Sequence, residues 1–169
     1  LWEEVDSAGV VRPHYAITED GRSLAGRARE NTNMIELQYA TFDPLKGVPP
    51  VDPRFTAGAQ SDLYLVQCVV WPLPEFRAGL EAAGARVVRY LPENSLAVRM
   101  SPATAAKVKA LSYIRWVGAY HPAYKVDPKV LLEVTGSGDA AAARYSIECF
   151  ERGMGDQGRV ADAILAMGG

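Results

Sequence analysis

Cysteine, histidine and long apolar runs are scarce in this chain of 169 residues. Its two cysteines, Cys68 and Cys149, set no disulfide framework and suit no zinc site, which gathers about four Cys or His ligands at short spacings. The two histidines, His14 and His121, lie far apart in sequence, and no HExxH, CxxC pair or HxH occurs. No metal and no cofactor is therefore expected. No apolar run approaches the roughly 18 residues of a membrane span. A net charge of −2, with no basic stripe, argues against a nucleic-acid partner. The glycines of VTGSGDAA (134–141) form neither a phosphate-binding loop nor GxGxxG, and no GxSxG is present. The acid pairs Glu3/Glu4 and Glu148/Glu151 read as solvated charges rather than an acid/base couple. No catalytic residue can be named, and no small-molecule ligand is evident.

What is present is enough apolar sequence to fold, 49% of residues against 22% charged. Residues 1–61 read as an extended arm. Pro44, Pro49, Pro50 and Pro53 rule out a continuous helix or central strand there, and one short strand is expected over MIELQYATF (34–42). Trp2, Tyr15, Tyr39 and Phe42 imply that the arm packs on something. Arg22, Arg27 and Arg29 cluster in it and could hold carboxylates.

Regular signals begin at residue 62. LYLVQCVV (63–70) reads as a strand and LPEFRAGLEAAGA (73–85) as a helix stopped by Gly84. RVVRYL (86–91) and SLAVRM (95–100) are strands joined by a PEN turn. SPATAAKVKALS (101–112) is a helix with Ser101 as N-cap and Pro102 in its first position, and IRWVGAY (114–120) is a strand. The order β-α-β-β-α-β predicts an α+β, ferredoxin-like domain over 62–135: a four-stranded antiparallel sheet with two helices on one face.

A weak self-similarity follows. YLVQC (64–68) resembles YSIEC (145–149), and FRAGLEAAGA (76–85) resembles VADAILAMGG (160–169). Residues 136–169 then read as the first βα half of a second similar unit. On that reading Gly168 and Gly169 are a candidate cleavage end, with the remainder held non-covalently; a small appendage on the first unit is the other reading. The first residue, Leu1, would follow a removed signal peptide or a trimmed start.

Alternation along the first strand turns Tyr64, Val66, Cys68 and Val70 toward the helices and Leu65, Val69 and Trp71 away from them. With Trp116 and Tyr120 of the last strand, the second face is more apolar than a solvated sheet face should be. Leu65, Val69, Trp71, Trp116 and Tyr120 are the candidate docking face, to be covered by the arm, the second unit or a partner. The same alternation predicts buried thiols at Cys68 and Cys149.

Three motifs here resemble the non-catalytic N-terminal region of secreted bacterial subtilisin-like serine peptidases: Tyr64–Cys68 (YLVQC), Gly84–Asn94 (GARVVRYLPEN) and Ile114–Lys125 (IRWVGAYHPAYK). ATFDPLKGVPP (40–50) is similar to the arm that precedes this unit in such precursors. The resemblance implies a propeptide-type domain, secreted, that assists or regulates folding of a catalytic chain from the same precursor. The parent would be a serine endopeptidase with Asp, His and Ser. No position here matches those three, so none is carried over. The competing reading is a stand-alone interaction or regulatory module of the same fold with no protease attached. A ligand-sensing enzyme subunit would need a polar pocket that the residues do not reveal.

Overall fold

Three antiparallel sheets and four α-helices organise the residues described by the computed structural model, namely 1–18, 22–23, 26–136, 144–150 and 154–168. The chain divides into two compact units, Leu1–Pro128 and Lys129–Gly169.

The first unit opens with strands β1 (Trp2–Val5), β2 (Val11–Tyr15) and β3 (Arg29–Glu30), which form a sheet in the order β1-β2-β3. The β1–β2 turn is built by Asp6, whose carboxylate accepts from the Ala8 and Val10 N–H groups at 2.9 Å each. Gly9 completes it at φ +79°, a left-handed conformation that favours glycine. The single strand expected over 34–42 is instead a hairpin of β4 (Ile35–Glu36) and β5 (Thr41–Phe42), closed by a bond from the Leu37 N–H to the Ala40 carbonyl. Among its described residues the arm thus holds five short strands rather than one, and it belongs to the same compact unit as the sheet that follows.

That sheet contains β6 (Leu63–Cys68), β7 (Arg86–Leu91), β8 (Ser95–Arg99) and β9 (Ile114–Ala119), in the order β7-β8-β6-β9, with every neighbouring pair antiparallel. Helix α1 (Pro74–Ala82) joins β6 to β7, and α2 (Pro102–Lys109) joins β8 to β9. Local signals set both helices. Each has proline in its first turn; Ser101 caps α2 by accepting from the Thr104 N–H at 3.1 Å; and Gly84 at φ +92° ends α1. One core lies between this sheet and the helices. Val66, Cys68, Leu96, Val98, Met100 and Ile114 from the strands meet Leu80, Ala105 and Val108 from α1 and α2. Each fully buried side chain of this size contributes about 1.5–3 kcal/mol. Phe76 of α1 stacks on Tyr113 at 4.4 Å, and a Cβ at residue 79 would collide with the Tyr113 hydroxyl, which Gly79 leaves room for.

The second unit holds α3 (Pro128–Thr135, whose first residue belongs to the first unit) and α4 (Met154–Ala166). Thr135 bonds back to the Leu131 carbonyl at 2.8 Å, and the Tyr145 hydroxyl donates to Glu133 at 2.9 Å. Residues 144–149 carry no strand, contrary to the expectation for YSIEC. A strand needs a neighbour to satisfy its N–H and C=O groups, and alternation alone does not supply one. The helical half of the supposed repeat does form, as α4. It is followed by Gly168 at φ +88°, whose N–H reaches the Leu165 carbonyl at 3.0 Å. Gly169 lies outside the described residues.

Candidate functional site

The face of the four-stranded sheet turned away from α1 and α2 is built around a polar residue near the end of the inner strand β6. Gln67 is fully buried. A buried amide without partners would cost several kcal/mol, so its bonds must come from elsewhere in the chain. They come from the arm. Gln67 Nε2 donates to the carbonyls of Asn33 (3.1 Å) and Met34 (3.2 Å), and its Oε1 accepts from Arg115 Nη1 at 2.7 Å. Arg115 Nη2 donates to the Asp43 carboxylate at 2.8 Å, with both side chains largely buried. Burial pushes the Asp43 carboxyl up, but the Arg115 hydrogen bond, the Leu45 N–H and the nearby positive charge outweigh it. The group is held below the usual carboxylate range. At the end of the sheet, Asn94 Nδ2 donates to Asn31 Oδ1 at 2.6 Å and to the Thr32 carbonyl at 3.2 Å, while Asn31 Nδ2 donates to the Val69 carbonyl at 2.9 Å.

An aromatic cluster fixes the arm further on. Tyr124, 2% exposed, lies against Tyr39 (5.3 Å), Phe42 (6.2 Å), Tyr120 (6.3 Å) and the edge of His121 (5.1 Å). The Tyr39 hydroxyl donates to the Pro50 carbonyl at 2.7 Å, and the Ala57 N–H donates to His121 Nδ1 at 2.9 Å. His121 is held neutral at that nitrogen, and burial lowers its pKa.

These contacts decide what the candidate docking residues can do. Leu65 is fully buried and Tyr120 is 5% exposed, so neither is open to a partner. Val69 and Trp116 are half-buried, and the Trp116 ring lies over Gly118, where a Cβ would collide with it. Trp71 keeps 48% of its surface exposed. The apolar second face is therefore closed by the chain's own residues 31–57, one of the three covers that the sequence left open. The signal for that closure was a glutamine inside an otherwise apolar strand. The partner residues Asn31, Asp43, Asn94 and Arg115 carry no periodicity that would have found them.

Elsewhere the candidate residues do not converge. His14 stacks on Trp2 at 5.7 Å and bonds the Arg12 carbonyl, in a different setting from His121. Cys68 is buried, and burial pushes its thiol up to about 12, which leaves no thiolate for chemistry at neutral pH. Cys149 is only partly buried, contrary to the expectation for it, because no strand forms around it to turn it inward. Among the described residues no group of three or more His, Cys, Asp or Glu side chains is arranged to hold a metal ion. Among the described residues no helix is long and apolar enough to cross a membrane.

Arg27 and Arg29 do share a site. With Tyr15, Ile17, Trp71 and Leu73 they line a cleft of about 270 Å³.

Compared with known proteins, the chain matches one family model over residues 36–121, about half its length, and it belongs to that family, a domain of unknown function (DUF8729). The matched span takes in the β4–β5 hairpin from Glu36 onward, the four-stranded sheet, α1, α2 and the arm residues that reach His121. No curated protein and no solved structure matches the chain.

Proposed function

We propose that residues 62–121 are a ferredoxin-like unit serving as the propeptide-type, non-catalytic N-terminal domain of a secreted subtilisin-like serine peptidase, and that it docks on the catalytic part of the same precursor. The observation that carries this reading is the strand order β7-β8-β6-β9 with α1 and α2 as the two crossovers, found in the same residues that hold the three subtilase-like motifs. That order is what two right-handed split βαβ connections produce. A body that binds only the folded state of its partner stabilises that state by mass action, which is how such a domain assists folding. Because Leu65 and Tyr120 lie beneath the arm, the docking surface is the outer side of the arm together with Trp71, not the bare sheet.

One observation favours a second reading. The arm closes the sheet's second face from within the chain, so the unit needs no partner to bury its core, as a stand-alone interaction module would require. Denaturing intact-mass analysis of the protein purified natively from its source separates the two. A second, larger polypeptide bearing an Asp, His and Ser subtilase sequence is expected. A monodisperse sample in which this chain is the sole polypeptide would contradict the peptidase reading.

A further inference from the structure

We propose that the cleft between the N-terminal sheet and the start of α1 binds the free C-terminal carboxylate of a peptide that ends in an apolar or aromatic residue. This does not rest on the peptidase reading. The charges carry the argument first. Arg12, Arg54, Arg77, Arg99 and Arg115 each form an ion pair with an Asp or Glu. Arg27 and Arg29 form none, and their side chains make no hydrogen bond or ion pair to any described residue, yet both line one cleft. Two guanidiniums lining one cleft concentrate positive charge there, and a carboxylate is the group their planar donors match best.

The rest of the cleft is apolar. The exposed ring of Trp71 forms one wall, with Ile17 and Leu73 beside it, and Pro72 and Pro74 stiffen the approach. Among the described residues, no acidic side chain lines it. The first turn of α1 also opens here: Leu73 stands at its N-cap without a side-chain hydrogen bond, and the one acidic residue of that turn, Glu75, is exposed and does not line the cleft.

A C-terminal residue presents a carboxylate and a side chain on the same carbon, which is the pairing that two arginines beside a tryptophan select. An internal Asp or Glu offers the charge without an apolar group of its own. The volume agrees in scale. About 270 Å³ lies just below the roughly 300–1,000 Å³ of sites for drug-sized ligands, which suits one or two terminal residues.

Trp71 lies in the cleft wall and supplies the readout. Acetyl-Ala-Ala-Phe as the free acid, its C-terminal amide and acetyl-Glu-amide would each be titrated into the full chain while tryptophan emission is followed. The Trp71→Phe variant identifies the responding ring among the three tryptophans. The free acid should bind saturably and about tenfold or more tighter than either other peptide. The double variant Arg27→Ala/Arg29→Ala should lose about tenfold, and raised salt should weaken binding. Both arginines are exposed and unpaired, so this variant keeps the wild-type circular dichroism; Arg27→Lys/Arg29→Lys, which retains the charge, should recover part of the affinity. Equal binding of acid and amide, equal binding of acetyl-Glu-amide, or no saturable change up to about 5 mM would overturn the proposal.

Discussion

The two compact units use the same kinds of amphipathic sequence and reach different ends. Leu1–Pro128 contains every fully buried side chain found among the described residues, from Ile35 through Val108. Lys129–Gly169 contains none, and Leu132, Ile147, Leu165 and Met167 are all more than 60% exposed. Both units have helices with an apolar side. Among the described residues, only the first has a sheet to set against its helices and an arm to close that sheet's other face. An apolar stripe is a request for a neighbouring layer, and it becomes stability only where the chain supplies one.

The comparison breaks most sharply at the buried polar contact that joins arm and sheet. Arg115→Ala leaves Asp43 charged and buried and strips a donor from Gln67. Unfolding in denaturant should show a loss of about 3–5 kcal/mol for the first unit. Replacing both partners with apolar residues, as Arg115→Met/Asp43→Leu, should cost less, because no uncompensated charge remains. Equal losses would mean that the pair is not the fastening it is taken to be.

Truncating one leucine in each unit comes next. Leu80 is fully enclosed between α1 and the sheet, and Leu80→Ala should cost about 2–5 kcal/mol. Leu132 on α3 is 70% exposed, and Leu132→Ala should stay within about 0.5 kcal/mol. Thermal or denaturant unfolding of both variants checks the contrast, which fails if the two losses are alike.

The smallest effect is the pH response of the arm's latch. Burial depresses the folded-state pKa of His121 below its unfolded value of about 6.5. The unfolded chain then binds the proton more readily than the folded one. The stabilisation is fully present above about pH 6.5 and is lost as pH falls through the lowered folded value. Protonated Nδ1 also cannot accept from the Ala57 N–H. Stability measured from pH 8 to pH 5 should fall modestly in the wild type, and His121→Asn should flatten that part of the slope. An unchanged slope in the variant would remove His121 from the account.

The legible parts of the fold were those written in local chemistry. Pro74 and Pro102 at helix starts, Ser101 as a cap, Gly84 as a stop and the alternation of LYLVQC placed all four strands of the main sheet and both of its helices to within a few residues. The arm was not legible, partly because several of its fastenings are backbone carbonyls, of Thr32, Asn33 and Met34, that accept from side chains far along the chain. A carbonyl has no sequence signature. The β1–β2 hairpin left a trace in Asp6 and Gly9, and the buried Gln67 announced that something must cross the sheet without saying what. YSIEC misled for the opposite reason: its pattern suits a strand, but no strand among the described residues pairs with it. Of the candidate docking residues, the alternation that turned Leu65 away from the helices was readable, whereas its closure by residues 31–57 depended on those unreadable contacts.

Hydrogen exchange on the intact chain, read by mass spectrometry, tests most directly whether the first unit is a self-closed body and the second is not. The account predicts that β6 and β8 amides exchange only on global unfolding, with the Gln67-facing arm segment protected alongside them, while α4 amides exchange orders of magnitude faster. If α4 proved as protected as β6, or if the arm exchanged freely while the sheet stayed closed, the account would be contradicted.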